Sequence, residues 1–139
     1  MIRNILLIFT LLSGYTNAFL NSCMPNVCII KTGCGDPNLL PVITKRLLSN
    51  DNAIAIYNDE VSRDIVSLIN CHTAIKESNF DNNNDELLSY SASCLLNHHP
   101  IYRILPYNKD ISLHELNTYK KWGLEITIIP GISDTITNY

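Results

Sequence analysis

Residues 27–40 read VCIIKTGCGDPNLL. The first four are apolar and β-prone, so they read as a buried strand. Thr32-Gly33-Cys34-Gly35-Asp36-Pro37 follows at once and has to be a tight turn. Asp36 and Pro37 are residues that open a helix. A strand, a glycine turn and a helix start in direct succession make the first half of a βαβ unit.

The same alternation continues along the chain. Residues 39–49 read as a helix with apolar positions at 39, 40, 43, 47 and 48, with Pro41 in its first turn and Lys45 and Arg46 near its end. Residues 53–57 (AIAIY) read as a second strand and 61–69 as a second helix. Residues 77–86 (ESNFDNNNDE) are polar and read as an exposed loop, followed by a third helix over 86–97. A third strand falls at 101–105 (IYRIL). A fourth helix spans 112–122, with Ser112 as N-cap, Glu115 closing a capping box and Gly123 in the C′ position. Residues 124–129 (LEITII) read as a fourth strand, which Pro130-Gly131 breaks. This order predicts an α/β fold: one three-layer domain around a mostly parallel sheet. Ligands of such sheets gather outside the carboxyl ends of the strands. The turn at 33–37 stands at such an end. Spacing alone allows it to be a ligand loop or a plain βα connection.

Composition narrows the classes. The 139 residues are 46% hydrophobic and 17% charged, with a net charge of −3, which suits one domain. An acidic chain without a Lys/Arg cluster is a poor phosphate binder, so no nucleic-acid partner is expected. The 19 Ile, 18 Leu and 17 Asn against 5 Ala favour strands and turns.

Arg3, the apolar run at 5–12 (ILLIFTLL) and Thr16-Asn17-Ala18 follow the order of a secretory signal peptide over residues 1–18. The run is too short for a bilayer span, which needs roughly 20 residues. A buried first strand or helix is the other reading of the run. Cleavage after Ala18 would expose Phe19, and residues 19–26 would be a short leader or linker. A signal peptide with Phe19 after the cut is similar to leaders of secondary plastids, although 19–26 carries no Lys or Arg. The expectation is secretory entry, with plastid delivery or a luminal or secreted end point, and no membrane association after signal removal.

Cys23, Cys28, Cys34, Cys71 and Cys94 are an odd set without C-x-x-C, so pairing is left open and no metal is expected. Cys71-His72 and His98-His99 are adjacent pairs with no zinc spacing.

Taken together, three segments resemble the tetrapyrrole (corrin/porphyrin) methylases, closest to the uroporphyrinogen-III C-methyltransferase branch. These are residues 27–40, residues 45–62 (KRLLSNDNAIAIYNDEVS) and residues 124–133 (LEITIIPGIS). The resemblance covers 27–134. It implies methyl transfer from S-adenosylmethionine (SAM) to a ring carbon of a tetrapyrrole such as uroporphyrinogen III, without a metal. It implies SAM-binding positions at Gly33, Gly35, Asp36, Pro37, Pro130, Gly131, Ile132 and Ser133, with Tyr57, Val61 and Ser62 matching the segment after the second strand. It names no catalytic residue.

The chain also departs from the pattern. Lys31, Thr32 and Cys34 replace Gly, Ala and Pro, and Asn58 replaces Asp. After residue 105 the family has a second glycine loop, whereas residues 105–111 (LPYNKDI) hold no glycine. Asp110 and Glu115 are possible remnants of it. The family enzymes have two domains, so residues 27–139 are expected to be a truncated or degenerate N-terminal domain with the second domain absent. The expectation therefore divides between a methyltransferase and a non-catalytic binding or dimerisation module. The expected partners are the tetrapyrrole substrate and a second copy of this chain or a separate C-terminal half.

Overall fold

The computed structural model describes residues 26–81 and 84–132. The signal-peptide segment, Cys23 and Ser133 lie outside the described residues. The described elements are β1 (Val27–Lys31), α1 (Val42–Leu48), β2 (Ile54–Tyr57), α2 (Arg63–Val66), β3 (Thr73–Lys76), α3 (Asp85–Leu96), β4 (Ile101–Leu105), α4 (Leu113–Lys121) and β5 (Ile126–Ile129). Short 3-10 turns occupy Pro37–Leu39 and Glu77–Asn79.

The five strands form one parallel sheet in the order β3-β2-β4-β1-β5. Burial follows this order. All five residues of the central β4 are buried, while edge strand β3 alternates half-buried and exposed. Alternation along the strands divides the core in two. Cys28, Ile30, Ala55, Tyr102 and Ile104 pack with Leu47, Leu48 and Ile65 of α1 and α2. Val27, Ile29, Ile54, Ile56, Ile101 and Leu105 pack with Leu87, Leu88 and Tyr119 of α3 and α4. The chain is thus a single three-layer α/β domain, as the strand–helix alternation predicts.

Several expectations need correction. Four strands were expected and five are present among the described residues. The added one, β3, contributes a single strongly apolar residue, Ile75, and lies at an edge where little burial is needed. The expected helix over 39–49 is shorter, because Pro41 ends up at the N-cap and the preceding turn is 3-10. Leu39 and Ile43, expected on its apolar face, are exposed, and Thr44 faces inward instead. The second helix keeps one turn only, with Ser62 as its N-cap and Leu68 exposed. Ser112 caps α4 as expected by accepting from Glu115 N. The Glu115 carboxylate does not close the box; it is committed to the core.

That commitment is a buried charge network. Arg103 on β4 donates from Nε to Glu115 Oε2 (2.6 Å) and from Nη2 to Glu115 Oε1 (3.2 Å). Its Nη1 donates to Ile56 O and its Nη2 also to Glu77 Oε2. Tyr119 donates its hydroxyl to Glu115 Oε2 at 2.7 Å. Arg103 and Glu115 are 2% and 1% exposed, so these bonds replace water almost completely. Burial opposes the guanidinium charge, but Glu115, then Glu77, hold it above its ordinary pKa. Burial, then Glu115, push the Tyr119 phenol up, so it stays a donor.

Candidate functional site

β1 and β4 are neighbours whose following helices lie on opposite faces of the sheet. The chain therefore parts in two directions at their carboxyl ends, which leaves a crevice there. A groove of about 310 Å³ occupies this position. One side is the turn Thr32, Gly33, Cys34 and Gly35; the other is Pro106, Tyr107 and Asn108, with Glu60 and Ser62 at the flank.

The turn is shaped by its glycines. Gly33 and Gly35 have φ of 68° and 88°, a region that L side chains avoid. Three contacts hold it. Thr32 donates from both N and Oγ1 to Leu105 O, which joins the ends of β1 and β4. Ser62 donates its hydroxyl to Gly35 O at 2.9 Å and accepts from Ile65 N, so the cap of α2 also braces the turn. A Cβ on Gly35 would lie 3.3 Å from Ser62 Cβ. Gly131 packs against the turn from behind, and a Cβ there would fall 2.3 Å from Gly33 N.

Of the positions expected to bind SAM, Gly33 and Gly35 line the groove. Gly131 supports it from outside. Asp36 and Pro37 continue into the 3-10 turn, where the Asp36 carboxylate accepts from Asn38 N. Pro130 and Ile132 flank Gly131 and do not line the groove. Ser62 is the brace just described, while Tyr57 and Val61 belong to the core on the α1/α2 side. Glu60, Tyr107 and Asn108 are groove residues that glycine spacing gave no reason to select.

The loop after β4 is tied down at its far end. Lys31 Nζ donates to Lys109 O and Asp110 Oδ1, each at 2.7 Å. Lys109 Nζ lies 3.7 Å from Glu60 Oε2. Lys31, where the family has Gly, is thus an anchor for the loop that lacks glycines. Asn58, where the family has Asp, accepts from Glu60 N and donates to Glu77 Oε2. No group of three or more potential metal ligands occurs among the described residues. No helix among them is long and apolar enough to cross a membrane.

The fold is shared with solved tetrapyrrole methyltransferases, which the domain matches over about half of their length. Neither a protein-family model nor a curated protein sequence matches the chain. Among solved structures it is similar to uroporphyrin-III C-methyltransferase from Thermus thermophilus, with TM-score 0.57 and 13% identity over 78% of this chain and 48% of that one. The same enzyme with S-adenyl homocysteine matches at TM-score 0.56 and 19% identity, over 81% and 51%. Cobalt precorrin-4 methyltransferase, a cobalamin biosynthetic enzyme, matches at TM-score 0.60 and 18% identity, over 78% and 47%. At these identities the likeness is one of fold, and the chain spans about half the length of each structure.

Proposed function

We propose that this domain binds an adenosyl ligand at the β1/β4 groove and serves SAM-dependent methylation of a tetrapyrrole, of the uroporphyrinogen-III C-methyltransferase type. The carrying observation is the glycine turn: it lies at the sheet's switch point, is open to the groove, and is braced by Ser62 and Gly131. Glycines at 33 and 35 let a ligand approach backbone that a side chain would screen. The residues present suit part of such a ligand, since Gly33 and Gly35 supply backbone and Asn108 an amide. SAM would bring an already activated methyl group, so the work left to the chain is to hold and orient.

A second reading is a non-catalytic module derived from the same domain. The loop at 106–110 favours it, because Lys31 and Asp110 tie down a segment that offers no glycine. Calorimetry with S-adenosylhomocysteine, followed by transfer of a labelled methyl from SAM to uroporphyrinogen III, separates the two. Binding with transfer supports the first reading, and binding without transfer the second. Absence of both ends the methylation proposal. For delivery, we propose residues 1–18 as a secretory leader, which a fluorescent fusion of residues 1–40 would test. Cytosolic fluorescence would refute it.

A further inference from the structure

We propose that His72 and His99 form a two-imidazole site for a divalent late transition ion at the amino ends of the strands, opposite the groove. His72 directly precedes β3, and His99 lies just before β4. The fold brings them together over the amino end of β2, where His72 N donates to Ala53 O and His99 Nδ1 contacts Asn52 O. Their ring centroids are 4.7 Å apart, with the planes at 40°. Zn–N bonds are about 2.0–2.1 Å, so an ion lies about 3.2 Å from the centroid of a ligating ring. Two rings at about 90–109° on one ion then stand about 4.5–5.2 Å apart. The observed separation falls in that range. Sequence spacing gave no reason to expect it.

The outer contacts are those of metal-binding imidazoles. Asn52 O can only accept, so His99 donates Nδ1–H to it at 2.8 Å and keeps the lone pair on Nε2. His72 Nδ1 lies 3.0 Å from Thr73 Oγ1, a hydroxyl that accepts equally well, so the same tautomer is open to it. Neither Nε2 has a partner among the described residues. Backbone bonds fix both positions: His99 N donates to Cys94 O, and Asn52 Nδ2 donates to His98 O beside it. Imidazole donors suit Zn²⁺, Ni²⁺ or Cu²⁺, whereas Mg²⁺ and Ca²⁺ need oxygen ligands. Cys71 is not a third ligand. Its thiol donates to Leu47 O and Leu48 O, and burial pushes it up to about 11. Water fills the remaining positions, and exposed His72 leaves the ion a way in. A bound ion would tie edge strand β3 to central β4 across β2.

The test is calorimetry on the full chain with Zn²⁺, Ni²⁺ and Mg²⁺, for wild type, H72A, H99A, H114A and C34A. Loss of an outer-shell partner costs a metal site about 10–100-fold in affinity, so loss of a ligand should cost about tenfold or more. H72A and H99A should show that loss for Zn²⁺ and Ni²⁺, H114A and C34A should show none, and Mg²⁺ should not bind. Zn²⁺ should raise the urea midpoint of wild type but not of H72A. An unchanged metal-free midpoint for H72A would show that its fold is intact. In nitrogen NMR spectra of wild type, Zn²⁺ should move Nε2 of both rings and leave Nδ1 protonated. That readout is independent of the variants, and binding to a single imidazole would not produce it. If H72A and H99A bind Zn²⁺ as wild type does, the proposal falls. It falls equally if wild type binds neither ion, if binding follows His114 or Cys34 instead, or if Zn²⁺ moves only one of the two rings.

Discussion

The backbone of Gly131, just past β5, rests on the backbone of Gly33, just past β1. A Cβ on Gly131 would lie 2.3 Å from Gly33 N, 2.5 Å from Gly33 Cα and 3.0 Å from Lys31 O. Two loops about a hundred residues apart therefore share one close contact, made possible by glycine at both positions. β5 pairs with β1 in parallel, so their carboxyl ends arrive together and the loops that leave them have to pass.

G131A should consequently destabilise the domain. The obstructing atoms are backbone, which cannot rotate aside as a side chain can. Overpacking of this kind costs about 1–3 kcal/mol. The urea midpoint should fall, and the affinity for S-adenosylhomocysteine should fall with it, because the turn that moves is the groove wall. A variant with wild-type stability would show that the two loops separate freely.

S62A removes one hydroxyl with two duties. It caps α2 at Ile65 N and donates to Gly35 O. Loss of an N-cap alone costs about 1 kcal/mol. The expected result is a loss of that size or slightly more, seen as a drop in the urea midpoint. An unchanged midpoint would contradict both the capping and the bracing role.

The strands of the core were legible because parallel strands buried on both faces read as unbroken apolar runs, as VCII and IYRIL do. The weak pattern of Thr73–Lys76 hid β3, since an edge strand needs few apolar residues. Gly33, Gly35 and Gly131 could be picked out because positive φ and close approach select glycine. Tyr107, Asn108 and Glu60 could not, because an exposed polar or aromatic loop residue leaves no periodicity. Glu115 shows the same limit: the sequence offered a local partner at Ser112, and the fold supplied a stronger one in Arg103.

R103M should be among the most damaging single changes. It leaves Glu115 buried and charged beside Tyr119 only. Breaking a buried pair from one side costs about 3–5 kcal/mol, whereas replacing both partners with apolar groups costs far less. R103M/E115L should therefore be more stable than R103M, as Glu77 is partly exposed and can return to water. A double-mutant cycle in urea measures the coupling. Additive effects would mean that the pair contributes nothing as a pair.

Alkaline pH should weaken the fold through two thiols. Burial pushes Cys28 and Cys71 from 9.0 up to about 11. Both lie on the α1/α2 side of the sheet, beside the Tyr102 phenol, which burial also raises. The folded state therefore keeps protons that the unfolded chain has begun to release near pH 9. Their contribution to stability is complete below that pH and is lost as pH rises through about 11. The urea midpoint should fall between pH 9 and 11, and C28A/C71A should flatten that slope although it starts from a lower midpoint. The remaining slope belongs to Cys94, Tyr90, Tyr102 and Tyr119, whose pKa values burial also raises. Thiol labelling near pH 8 gives an independent check: exposed Cys34 should react at once, and buried Cys28 only as fast as the domain opens. Equal labelling rates at the two sites would mean that β1 is not closed over by α1 and α2.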